Sequence, residues 1–236
     1  MFAVLKPPDR STGWVLFASV LLPVADVQFG STRFYQDVLA PLFGWDAHPL
    51  LEMHARLYQF AAVFVLFFVI PVLLWRCVLG RPLADCGMRP GDVRFGLRSL
   101  FAAAVLALPV LYASAGQADF QAEYPLSRIA TQETARFIGY EAALLAYYIG
   151  WETLFRGFML FGLRERYGDF GAILFQTFPS VLLHIGKPAA ELWASVAAGL
   201  LFGAWVLRCG SIWYVLALHY WLGVWNDLFC FWSALR

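Results

Sequence analysis

Charge is the scarcest ingredient of this 236-residue sequence: Asp, Glu, Lys and Arg together make up 14% of it, where a soluble domain carries about 25%. So few charges cannot cover a water-facing surface. With 61% hydrophobic and 18% aromatic residues, the composition points to lipid as the outer solvent. A formal net charge of +1 and the lack of any basic cluster with interleaved aromatics remove the electrostatic ground for nucleic-acid binding. Cysteine is sparse as well. Cys77, Cys86, Cys209 and Cys230 form no C-x-x-C pair. Cys77 and Cys86 are close enough to bridge, but they flank a loop that charge asymmetry assigns to the cytosol, where thiols stay reduced. All four are expected to be free. There is no H-E-x-x-H, no repeat, no low-complexity run and no linker, so residues 1–236 read as one domain. The first ten residues are weakly basic and lead into an apolar stretch without a small-residue cleavage site, which predicts a retained span rather than a removed signal peptide.

What the sequence does have is long apolar runs. Crossing about 30 Å of hydrocarbon takes roughly 20 residues of helix. Residues 14–29, 58–75, 99–115, 137–163, 170–184, 192–207 and 211–232 are the candidates, the first interrupted by Pro23 and Asp26 and the fifth short. Trp14, Tyr58, Trp75, Tyr112, Trp213, Phe231 and Trp232 near segment ends fit an interfacial belt. Lys6, Arg10, Arg76, Arg81, Arg89, Arg94, Arg98, Arg164, Arg166 and Arg208 fall on one side of the resulting map. Arg33, Arg56, Arg128, Arg136, Lys187 and Arg236 fall on the other, with most of the loop acids. The positive-inside bias then predicts an all-α, polytopic bundle of about seven spans, N-terminus in the cytosol and C-terminus outside.

Against this apolar background, ionisable residues inside the runs stand out. A charge at the bilayer centre costs at least about 2.5–3.5 kcal/mol on insertion scales, so such residues usually mark function rather than bracing. Glu152 and Arg156 are four apart, on one face of a helix. Glu141 lies eleven residues before Glu152, about 20° away around the same helix. Gly139, Gly150 and Gly157 recur on the opposite side, where they would allow a neighbouring helix to approach closely. His184 ends the fifth run, with Gly186 and Pro188 just beyond to stop the helix. His219 lies inside the seventh, with apolar neighbours on both sides. Singly, each histidine has a bland alternative, an interfacial residue for His184 and an interhelical hydrogen bond for His219. Together with the Glu152–Arg156 helix, they form a set able to hold and deprotonate a water and to stabilise an oxyanion.

Glu152-Thr-Leu-Phe-Arg156-Gly157 resembles the glutamate-arginine motif of the CAAX protease and bacteriocin-processing family of membrane endopeptidases, and His184 and His219 resemble its second and third motifs in order and approximate spacing. The resemblance covers about residues 137–232. It implies a helical membrane bundle and a metal-independent, glutamate-type intramembrane peptidase without cofactor, acting on a membrane-associated protein or peptide. The stretch from His184 to Glu191 is similar to a subgroup that processes C-terminal sorting tails in bacteria, which implies the bacterial cytoplasmic membrane. Three positions depart from the family pattern: Trp151 replaces the first of two adjacent glutamates, Ser180 an aromatic residue, and Gly223 an asparagine or aspartate. Asn226 lies about 10 Å along the helix from His219, too far to stand in simply.

The mechanism so implied has Glu152 as general base and His184 positioning the water. Arg156 orients Glu152 or neutralises a substrate carboxylate, and His219 supports the oxyanion. With Trp151 in place, either Glu152 takes over water activation or Glu141 contributes. About 16 Å of helix separates those two carboxylates, so one water cannot serve both, and Glu152, one turn from Arg156, is the preferred base. Two rivals remain: a zinc peptidase using one glutamate and two histidines, and a non-catalytic scaffold, immunity factor or transporter.

Overall fold

Asp9 opens the first helix, its carboxylate accepting the Thr12 N–H at 3.0 Å and the Thr12 hydroxyl at 2.6 Å, which satisfies donors that a helix start leaves without partners. From there the chain is helix after helix. The computed structural model describes residues 9–234, so Lys6 and Arg236 of the charge map lie outside the described residues. Helix α1 is Arg10–Gly30, α2 covers 32–42, α3 is Leu51–Val78, α4 is Val93–Ala115 and α5 is the short Ala118–Glu123. Helix α6, Thr134–Glu152, runs on through a π-helical stretch, Thr153–Met159, into α7, Leu160–Leu182, which is broken at Gly168 (φ 69°, ψ 175°). Helices α8, Ala189–Cys209, and α9, Trp213–Ala234, complete the bundle. No strand occurs among the described residues.

Four of these helices, α1, α3, α4 and α8, are long and apolar enough to cross a membrane. Outward faces agree: on α4, Leu97, Phe101, Leu106 and Val110, on opposite sides of the helix, are each more than half exposed, apolar surface that lipid can cover and water cannot. The chain is an integral membrane protein by these features. Most of the apolar core lies where α1, α3, α7 and α8 close around the π-helical stretch, with Phe155, Phe158 and Met159 at its centre. Trp75 belongs to this core and not to the interfacial belt: it is 1% exposed, and its indole N–H donates to the Pro82 carbonyl at 3.0 Å. A buried indole needs a partner, and the loop carbonyl supplies it.

The close approach expected of the glycines is real at two of three positions. A Cβ on Gly150 would lie 2.7 Å from the Val63 carbonyl oxygen of α3, and one on Gly157 3.1 Å from that of Cys86, whereas nothing lies within 4 Å of Gly139.

Loops bind to one another within two separate groups. In the first, Arg81 pairs with Glu165 at 3.0 Å, Arg164 with Asp169 at 2.5 Å and Arg208 with Asp92 at 3.2 Å. In the second, Arg56 donates to the Leu126 carbonyl, the Arg128 N–H donates to Glu52, and Lys187 pairs with Glu123 at 2.6 Å. All four cysteines are free, Cys77 exposed and Cys86 buried.

Candidate active site

Every side chain from Gly150 to Leu160 is buried, so the ionisable residues on this stretch have no water to turn to. Glu152 is the last residue before the helix widens into its π stretch, and Arg156 lies one turn on. The Nε of Arg156 stands 3.5 Å from Oε2 of Glu152, the two side chains being 2% and 0% exposed. The guanidinium is sandwiched by aromatic faces, 5.9 Å from the Phe155 ring centre and 5.8 Å from that of Phe202 on α8, contacts that favour a cation.

The other carboxylate oxygen of Glu152 meets His219. Helix α9 packs beside α6 and brings Nδ1 of His219 to 2.6 Å from Oε1. A carboxylate only accepts, so the Nδ1–H of His219 is the donor and Nε2 is left facing away. His184 follows the same logic one turn beyond the Pro179 region of α7. Its Nδ1 lies 2.7 Å from the Ser180 carbonyl, which fixes the proton on Nδ1 and leaves the Nε2 lone pair free. The His184 ring stands edge-on to Trp151 at 5.4 Å. His219 rests against Tyr148 at 4.5 Å and Phe202 at 5.9 Å.

Between the two imidazoles is a cavity of about 80 Å³, bounded among others by Tyr148, Trp151, His184, His219, Glu191 and Asp227, large enough for a few water molecules. The four residues singled out in the sequence therefore do not converge on one point. Glu152, Arg156 and His219 form a contiguous set, and His184 faces His219 across the cavity. Glu152 and Arg156 do not line it; His219 stands between. Glu141 is buried with neither carboxylate oxygen hydrogen-bonded, and it does not line the cavity either.

Glu191, Asp227 and Tyr148 also line the cavity, and the sequence assigned none of them a role. Glu191, seven residues after His184, accepts from the Tyr124 hydroxyl with both oxygens at 2.8 Å. Its place just past Pro188, at a helix start next to a site histidine, was the signal available. Asp227 is 2% exposed with Oδ2 unpaired. Tyr148 carried no signal, one aromatic among many. Among the described residues no group of three or more His, Cys, Asp or Glu side chains is disposed to hold a metal ion.

The segment that builds most of this site, residues 134–225, matches the family model described as type II CAAX prenyl endopeptidase Rce1-like. Over that segment the chain is similar to the CAAX protease and bacteriocin-processing family. The family segment takes in all four sequence-predicted site residues, from Glu152 to His219. The family is one of membrane proteases, and the match supports an intramembrane-protease kind of function for the protein. No curated protein and no solved structure matches the chain.

Proposed function

We propose that the protein is an intramembrane endopeptidase that hydrolyses a peptide bond in a membrane-associated protein or C-terminal tail, with Glu152 activating water through His219. The observation that carries this is the 2.6 Å contact of His219 Nδ1 with Glu152 Oε1 at the wall of the cavity. A carboxylate behind an imidazole fixes its tautomer and stabilises the imidazolium that forms when the outer nitrogen takes a proton. In this reading a water in the cavity is held by Nε2 of His184 and loses its proton to Nε2 of His219 as its oxygen attacks the substrate carbonyl carbon. The carbonyl π electrons move to oxygen. On collapse the C–N bond breaks and the proton passes from His219 to the leaving nitrogen. Arg156 anchors the far oxygen of Glu152. His219 is then the proton carrier and not the oxyanion donor that the motif order alone suggested, because its Nδ1–H is committed to Glu152.

The protein would cross the membrane seven times as one domain, a count favoured by the separation of loop ion pairs into two groups. A substrate reaching this cavity would be anchored in the same bilayer. A second reading, a non-catalytic scaffold or transporter, is favoured by Trp151, whose indole fills the place of a family carboxylate and buries its N–H without a partner. The two separate in one experiment. The protein is reconstituted in proteoliposomes with a library of single-span reporters ending in randomised tails, and released tails are identified by mass spectrometry. Release by the wild type, lost in Glu152→Gln and His219→Ala and insensitive to chelators, is expected. No release from any reporter sinks the peptidase reading, and release abolished by chelator restores the zinc alternative.

A further inference from the structure

Peptide hydrolysis at this cavity needs a donor as well as a base, and the two histidines cannot supply it. Each has already given its one N–H away, His184 to the Ser180 carbonyl and His219 to Glu152, so neither neutral ring has a hydrogen left to donate. Glu191 and Asp227, the carboxylates on the wall, accept when ionised. None of these four side chains offers a hydrogen to the developing oxyanion.

Tyr148 changes that balance. Its ring lines the cavity and packs against His219 at 4.5 Å, and its hydroxyl makes no hydrogen bond among the described residues. The hydroxyl enters the space beside Gly223, one helical turn after His219 on α9. A Cβ at position 223 would fall 2.5 Å from the Tyr148 Oη, 2.9 Å from Cε2 and 3.0 Å from Cζ. Any residue other than glycine would expel the ring. The glycine is therefore the slot that admits the tyrosine.

We propose that Tyr148 is a catalytic residue whose hydroxyl donates to the oxyanion formed on the substrate carbonyl, seated there by the space that Gly223 leaves. The proposal rests on the peptidase reading above. During attack the electron pair of the carbonyl moves onto its oxygen, Tyr148 Oη–H holds that oxygen without giving up its proton, and the water proton goes to His219. On collapse the hydroxyl returns to its unbonded state. The other donors on the wall are Lys187, Tyr124, Tyr140, Tyr147 and Trp151. Lys187 is paired with Glu123, and the Tyr124 hydroxyl is given to Glu191. The Tyr140 hydroxyl and the Trp151 indole N–H are sealed by protein atoms, and the Tyr147 ring packs on Phe60 and Trp151 rather than on His219.

The test uses the full-length protein in proteoliposomes and whichever library reporter the wild type cleaves fastest. Tyr148→Phe keeps the ring and its packing, and is expected to lower kcat by about 10²–10³-fold with KM within about twofold, the size seen when one oxyanion donor is removed. Gly223→Ala is expected to lower kcat although the hydroxyl is still present, because it displaces the ring. In Tyr148→Ala the slot is empty, and adding Gly223→Asn should recover at least about tenfold by restoring a donor there. A Tyr148→Phe protein with kcat within about twofold of wild type overturns the proposal and leaves the peptidase reading standing. So does loss of activity in Trp151→Phe alone. A wild type that cleaves no reporter overturns both.

Discussion

Arg156 and Glu152 form an ion pair 3.5 Å across, with both side chains sealed from solvent. Removing one partner of such a pair strands the other, at a cost of about 3–5 kcal/mol. Arg156→Ala is therefore expected to lower folded yield and the melting temperature in detergent, as well as activity. Glu152→Gln removes the charge but keeps the shape, and should yield a folded, inactive protein. Full cleavage by Glu152→Gln would remove Glu152 from the mechanism.

The two carboxylates of α6 should behave differently. Glu141 makes no hydrogen bond with either oxygen and stands away from the cavity, so Glu141→Gln is expected to leave reporter cleavage within about threefold of wild type, since a general base must reach within about 3.2 Å of its proton, directly or through one water. Cleavage abolished in the Glu141 variant and retained in the Glu152 variant would reverse the assignment. Each protein is first checked for insertion and a monodisperse elution profile.

Helix α3 rests on α6 at Gly150, where a Cβ would meet backbone atoms of Val63. Gly150→Ala should force the helices apart and cost about 1–3 kcal/mol, the usual penalty for overpacking. Gly139→Ala is the control. It meets nothing within 4 Å, and in mid-helix alanine is favoured over glycine by about 1 kcal/mol. Melting temperatures that fall in the first variant and hold or rise in the second are expected. Equal behaviour would show that α3 and α6 are not in contact there.

Thiol labelling reports both topology and burial. Cys77 is exposed, whereas Cys86 lies in the following loop, 3% exposed, its thiol pushed up to about 11 by burial. The reactive thiolate of Cys86 therefore appears only as pH rises toward that value. At pH 7, maleimide added to inverted membrane vesicles should label Cys77 and not Cys86 until detergent and denaturant are added. A membrane-impermeant reagent outside intact cells should label neither. Labelling of Cys77 from outside would invert the charge map, and Cys86 by itself would not have tested it, since burial alone shields it.

How much was legible in the chain itself varies residue by residue. Low charge and repeated apolar runs already placed the protein in a membrane, because the solvent preference of a 20-residue segment is a property of that segment. Glu152, Arg156, His184 and His219 were visible for the same local reason: an ionisable group in an apolar run is costly wherever the helix ends up. The aromatic belt failed at Trp75, since nothing in a single run tells a lipid-facing indole from one folded inward over its own loop. The π-helical widening at Thr153–Met159 and the break at Gly168 were also unreadable. Which oxygen of Glu152 meets which nitrogen of His219, 67 residues away, was decided by how α9 packs on α6. That same packing set His184 across a cavity from His219 and turned Gly223, a missing side chain in the sequence, into the slot that Tyr148 fills. Hydropathy and helical period are fixed by near neighbours along the chain, but hydrogen-bond partners and occupied space depend on segments that meet only after the helices have assembled.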